Sequence, residues 1–222
     1  MRPCHFAKLT MLAMTLAMLT LPLGGCILAP IVENYKRTST HEVKAQYTKL
    51  EDKTFAVIVS AGRGIETEAP GVPDAMLERI SFRLSQPEVG AAGVVPPRTV
   101  VKTLYDRPQW QAMTYQELAK DLLGGVDRLV FIELEDFRLS DPGNDYEWNG
   151  VAAGRVLVIE SDGVDPNQIV FEKYISVKFP DKSGWTPQTM QQNLVVSTLL
   201  SRFVDRASWL FYDHQEPYYP EY

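Results

Sequence analysis

The sequence predicts an α/β domain on a mixed five-stranded sheet, in the order β-α-β-α-β-β-β-α with the helices packed on the sheet. Three observations carry this reading. Continuous apolar runs at residues 55–59 and 129–132 suit strands covered on both faces. Between and after them, apolar residues recur at helical spacing. Then two long strand-like segments follow, separated by turn sequences too short for anything but antiparallel neighbours.

Residues 54–59, Thr-Phe-Ala-Val-Ile-Val, open the domain as its first strand. A Gly/Pro-rich loop is expected over 61–72. Pro73 suits the first turn of a helix whose buried stripe is Met76, Leu77, Ile80 and Leu84, and Pro87 ends it. After Pro96-Pro97, residues 99–104 read as the second strand. Thr114 with Glu117 forms a capping box, Leu118 and Leu122 mark a second helix, and Gly124-Gly125 stops it. Residues 128–137 make the third strand. Asp141-Pro142-Gly143-Asn144-Asp145 and Ser161-Asp162-Gly163 are turn chemistry, which leaves strands over 147–160 and 168–179 in a meander. A final helix runs from Thr186-Pro187 to about Tyr212, with Leu194, Val195, Leu199, Phe203 and Leu210 on one broad face.

The segment before this domain reads as an address. Arg2 and Lys8 precede an uncharged Leu/Met/Ala run over 9–23, shorter than the roughly 20 residues that span a bilayer as a helix. It ends on Leu23-Gly24-Gly25-Cys26, which resembles the lipobox of bacterial lipoproteins. That resemblance implies cleavage before Cys26, acylation of Cys26, and two or three acyl chains holding the protein to a membrane. Ile27, where an Asp would favour the inner membrane, points to the outer membrane with the domain facing the periplasm; inner-membrane residence stays open. The expected organisation is a signal peptide over 1–25, acylated Cys26 with a polar tether over 26–52, the domain over 53–212, and an aromatic tail over 213–222.

Charge and chemistry narrow the function. The 222 residues carry a net charge of −6, and loss of 1–25 moves it two units further negative, which argues against a nucleic-acid binder. Cys26 would be the one thiol left, so no disulfide, cysteine metal site or thiol chemistry is expected. His41 and His214 lie in no zinc-binding spacing, no Gly-x-Ser-x-Gly elbow occurs, and Ala61-Gly62-Arg63-Gly64 lacks the remainder of a phosphate loop. Neither metal nor cofactor is expected. Asp141, Asn144 and Asp145, or Asp162, Asp165 and Asn167, carry oxygens a calcium ion accepts, but lie in turns that use Asp and Asn anyway. Glu133, Glu135 and Asp136 are the one set with the composition of a glycan-hydrolase carboxylate pair. The tail holds Tyr218, Tyr219 and Tyr222, a candidate contact surface for the domain or a partner.

Together, the apolar strand at 55–59, Leu122-Leu123-Gly124-Gly125-Val126-Asp127 entering the third strand, and the strand 150–160 turning into 169–179 resemble the periplasmic lipoprotein domains of the curli-secretion and penicillin-binding-protein-activator type. Trp148-Asn149-Gly150 and Leu210-Phe211-Tyr212-Asp213-His214 also resemble segments of uncharacterised planctomycete lipoproteins. The first resemblance implies an accessory protein of the cell envelope that binds a partner protein, or its own copies, without catalysis. An auxiliary role in envelope transport or lipopolysaccharide export is the alternative. A pore is not expected, because no hairpin beyond the domain's own strands is long enough to span a membrane.

Overall fold

The computed structural model describes residues 39–217. In chain order the elements are β1 (Thr40–Val43), β2 (Thr54–Ala61), α1 (Arg63–Glu68), α2 (Val72–Leu84), β3 (Gly93–Val94), α3 (Pro97–Asp106), α4 (Tyr115–Glu117), β4 (Arg128–Arg138), β5 (Gly150–Glu160), β6 (Ile169–Phe179), α5 (Gln192–Ser208) and β7 (His214–Pro217). A 3-10 turn over Pro108–Ala112 precedes α4, which continues as a wider π turn over Leu118–Leu122. The described chain divides into residues 43–214 and a smaller unit holding 39–42 and 215–217. In the smaller unit β1 pairs with β7, and the Thr40 hydroxyl donates to Gln215 Oε1 at 3.2 Å.

The larger unit is built on the five-stranded mixed sheet, ordered β3-β2-β4-β5-β6. β2 runs parallel to both β3 and β4, while β4, β5 and β6 form the antiparallel meander. Phe55, Ala56, Val57 and Ile58 of β2 are all buried, as expected for a strand covered on both faces. One face carries α5. Gly150 of β5 permits that contact, since a Cβ there would meet Leu199 Cδ1 at 2.6 Å. On the opposite face Tyr115 of α4 packs edge-on against Phe131, with ring centroids 5.3 Å apart.

β4 holds an irregularity that its sequence demands. Val130, Ile132 and Leu134 alternate inward, but the next apolar residue, Phe137, is out of step by one. A bulge between Leu134 and Asp136 absorbs the extra residue, Glu135, and returns Phe137 to the core. Gly154 lies opposite the bulge. There β4 comes so close that a Cβ would lie 2.3 Å from the Glu133 carbonyl oxygen.

Several expectations need correction. Residues 99–104 are helix, within α3, and not the second strand. The β-branched run Thr99-Val100-Val101 suggested a strand, yet Pro97 sets a helical first turn, and Val100 with Leu104 faces the core at i, i+4. The fifth strand is instead the two-residue β3. The loop after β2 contains α1, a short helix with Ile65 as its buried residue. The final helix begins at Gln192, because residues 186–190 close a separate turn through Met190 N–H to the Thr186 carbonyl, 2.9 Å. β5 begins at Gly150, three residues after the expected start.

The domain also begins before residue 53. Tyr47 and Leu50 are buried in the core, so the stretch assigned to a tether is packed from residue 47. Arg128, buried at the start of β4, secures this segment by donating Nε–H to the Lys49 carbonyl at 3.1 Å. It also pairs with Asp162, which Lys53 approaches to 2.7 Å. The Tyr47 hydroxyl donates to Glu160 at 3.1 Å; burial first, and then the Glu160 charge, push that phenol well above its ordinary range.

Candidate functional site

An open cleft of about 1090 Å³ lies at the carboxyl ends of the parallel strands β2 and β4. In open α/β sheets that crevice is where ligands bind, because loops and helix starts converge there while the sheet interior is filled. Its floor is apolar, with Phe137, Leu139, Val196 and Leu200. Its rim comes from distant parts of the chain: the Pro70-Gly71 turn entering α2, the loop after β4, and the first turn of α5.

Local chemistry fixes each wall. Pro142-Gly143 turns the chain after β4, closed by Asn144 N–H donating to the Asp141 carbonyl at 2.9 Å. Asn149 Nδ2 donates to Asp141 Oδ2 at 2.7 Å, and Asn149 N–H reaches the Leu139 carbonyl at 3.0 Å, so the loop is folded back on its own strand. Trp148 is pinned twice, by N–H to the Trp185 carbonyl at 2.7 Å and by indole Nε1–H to the Met190 carbonyl at 2.8 Å. It ties the β4–β5 loop to the segment that enters α5. Both α2 and α5 begin at the rim, and neither N-terminus has a side-chain cap. Arg79 and Arg138 line the cleft alongside Glu68, Asp141 and Asp145. Arg138 is engaged by Asp136, with Asp141 at 3.8 Å. The arrangement suits an amphipathic ligand or peptide side chain that buries an apolar part and leaves a polar part at the rim.

The residues singled out in the sequence lie elsewhere. Cys26, Tyr218, Tyr219 and Tyr222 lie outside the described residues, as do 1–38 altogether. Glu133 and Glu135 sit on the sheet face opposite α5 and share one guanidinium: Arg155 Nη2 lies 3.0 Å from Glu133 and Nε 2.7 Å from Glu135, with Glu172 at 3.3 Å from Nη1. Asp136 pairs with Arg138. None of the three lines the cleft, where a facing carboxylate pair for glycoside hydrolysis would have to stand.

The two calcium readings fare similarly. Asn144 Oδ1 accepts from Tyr146 N–H at 3.1 Å, Asp165 Oδ1 from Asn167 N–H at 3.1 Å, and Asn167 Oδ1 from Gln116 N–H at 3.0 Å. Asp162 is held by Lys53 and Arg128. Its partial burial works to raise its pKa, but those hydrogen bonds and charges outweigh it and keep the carboxyl below the usual range. Among the described residues no group of three His, Cys, Asp or Glu side chains is arranged to hold a metal ion. Asp213 binds Lys44 at 2.8 Å and Ala45 N–H at 2.9 Å, which lowers its pKa, and the His214 ring stacks on Trp209 at 4.6 Å. Gly62 and Gly64 flank the start of α1.

Sequence reasoning missed the cleft itself. A signal was present: the turn residues Pro70-Gly71 and Pro142-Gly143 follow the two strands whose carboxyl ends meet there. It becomes readable only once β2 and β4 are known to be adjacent.

The fold so defined is an α/β domain with a mixed sheet and five helices packed against it. No protein-family model and no curated protein matches the sequence. Solved structures are similar to it in arrangement. The lipoprotein GNA1162 from Neisseria meningitidis is 14% identical, matches 69% of this chain and 96% of its own, and superposes with a TM-score of 0.45. PelC from Paraburkholderia phytofirmans, a dodecamer, is 12% identical over 78% of this chain and 97% of its own, with a TM-score of 0.42. The C-terminal domain of LpoB from Salmonella enterica is 11% identical over 57% of this chain and 83% of its own, with a TM-score of 0.32.

Proposed function

We propose that the protein is a lipid-anchored accessory protein of the bacterial cell envelope, acylated at Cys26, which binds a partner in the cleft at the carboxyl ends of β2 and β4 and performs no catalysis. The observation that carries the reading is the contrast between that cleft and the carboxylates. The large concave surface has an apolar floor and a rim fixed by internal hydrogen bonds, as a preformed binding site needs. The acidic residues with catalytic composition are spent on Arg155 and Arg138. The Leu23-Gly24-Gly25-Cys26 box supports the anchor, and Ile27 supports the outer membrane with the domain facing the periplasm. Within this reading the partner is a cell-wall synthase or, as the alternative, a subunit of an envelope transport system.

The test is photocrosslinking in the cell. A photoreactive residue at Asn193, on the cleft rim, should give a discrete adduct with one envelope protein, and the same residue at Glu88, outside the cleft, should not. Mass spectrometry of the adduct decides between a synthase and a transporter subunit. In parallel, Cys26→Ala should move the protein from membranes to the soluble fraction. Equal adducts from both positions, or none, would refute the cleft as the binding site. Retention of Cys26→Ala on salt-washed membranes would refute the anchor.

A further inference from the structure

β6 is an 11-residue strand at the edge of the sheet, hydrogen-bonded to β5 on one side and to no described strand on the other. A long open edge exposes a row of backbone donors and acceptors, and proteins usually shorten or cover one. The opposite edge, β3, is two residues long. β6 is neither short nor polar throughout: Ile169, Val170 and Tyr174 are exposed along it.

The sequence of β6 complements itself. In an antiparallel pairing of two copies about a two-fold axis normal to the sheet, paired residues share a face, so the axis must fall on a residue position. With the axis at Lys173 two lysines would meet. Centred on Tyr174 or Ser176, the pairing leaves Glu172 and Lys178 opposite uncharged residues or without a charged match. Centred on Ile175, Glu172 lies opposite Lys178 of the second copy, twice over by symmetry, and Phe171 lies opposite Phe179. The faces agree with those already set by β5: Glu172 pairs with Leu157 and Lys178 with Val151, both on the face that carries Arg155. Lys178 makes no ion pair among the described residues, while Glu172 holds Arg155 at 3.3 Å and keeps its other carboxylate oxygen for a second cation. Arg202 donates to the Lys178 carbonyl and is held in place by Asp181 at 2.6 and 2.7 Å. That carbonyl has a second lone pair for a ladder bond.

We propose that β6 is a self-association edge: two copies join antiparallel about Ile175, with cross-strand Glu172–Lys178 ion pairs setting the register and a continuous sheet running through both copies. This is independent of the cleft, which β6 does not line.

The test uses the chain from residue 26 onward with Cys26→Ala, so that no other thiol is present. Sedimentation at rising concentration, up to about 1 mM, the weak end of measurable association, should show a monomer–dimer equilibrium. Lys178→Glu sets like charges opposite each other and should weaken it by about tenfold or more. A chain with Tyr174→Cys mixed with one carrying Ser176→Cys should form an intermolecular disulfide well beyond what either yields alone, because those positions are opposite only in this register. Melting curves on each variant separate lost pairing from lost folding, and the disulfide readout needs no charge change. A monomer at every concentration overturns the proposal. So does a dimer that tolerates Lys178→Glu and gives no 174–176 disulfide, since it would use another face.

Discussion

Gly154→Ala is the substitution with the most sharply defined cost. An alanine Cβ would lie 2.3 Å from the Glu133 carbonyl oxygen and 3.1 Å from both the Glu133 carbonyl carbon and Leu134 Cα, where ordinary contact begins at 3.4 Å. The obstacle is backbone in the central strand β4, at its bulge, and cannot swing aside as a side chain would. β4 and β5 must part by about 1 Å, at the expense of ladder hydrogen bonds and core contacts. Overpacking of this kind costs about 1–3 kcal/mol or more. Alanine's lower freedom in the unfolded chain returns about 0.4–1 kcal/mol. The net loss should be about 2 kcal/mol, a fall in melting temperature of roughly 4–8 °C for a domain of this size. Thermal unfolding followed by circular dichroism measures it, with Gly64→Ala as the control. Nothing lies within 4 Å of a Cβ at Gly64, in α1, so that variant should melt with the parent or slightly above it. If Gly154→Ala melted as high as the parent, the close approach at the bulge would be refuted.

Further outcomes are expected. Phe203→Ala empties a wholly buried position in the core and should cost about 3–5 kcal/mol, read from the shift in urea midpoint. Thr114→Ala removes the hydroxyl that accepts from Glu117 N–H, while the return bond from the backbone N–H of residue 114 to Glu117 Oε2 stays available; it should cost about 1 kcal/mol, with faster amide exchange over residues 115–122. Asp162 has a folded pKa below its unfolded value, so its pairing with Lys53 and Arg128 adds stability above the ordinary Asp range, near about 3.9. That contribution is lost as pH falls through the depressed value. Asp162→Asn should therefore be less stable than the parent at neutral pH, and the gap should close in acid, below about pH 4, when denaturant midpoints are compared across pH.

What was legible in the sequence follows from how local each signal is. The apolar run of β2, the stripe of α2 and the capping box at Thr114 each lie within a few residues and stand where the structure has them, while the turns bounding β5 set its place in the meander but not its first residue, Gly150. α3 was misread because β-branching at 99–101 and helical spacing at Val100 and Leu104 conflict, and burial of one face decided it. β3 has no pattern of its own; two residues pair because β2 offers an edge. Tyr47 and Leu50 sit in a polar stretch with no helical period, where the alternation of Val43, Ala45 and Tyr47 is the one local hint of order, and their place in the core depends on a buried Arg128 some eighty residues on. The cleft was least legible. It draws its walls from around residues 70, 140 and 193, which only the parallel pairing of β2 with β4 and the docking of α5 bring together.

The double tethering of Trp148 also makes the protein its own optical instrument. Of the four tryptophans it alone lines the cleft, with its indole nitrogen fixed to a carbonyl. Indole emission shifts to the blue as water leaves its surroundings. An occupant that displaces water from the floor would change the colour and intensity of that one fluorophore, and a Trp148→Phe chain would remain dark to the same event. Screening for what the cleft accepts therefore needs no label attached to the protein, only a lamp and the untouched chain.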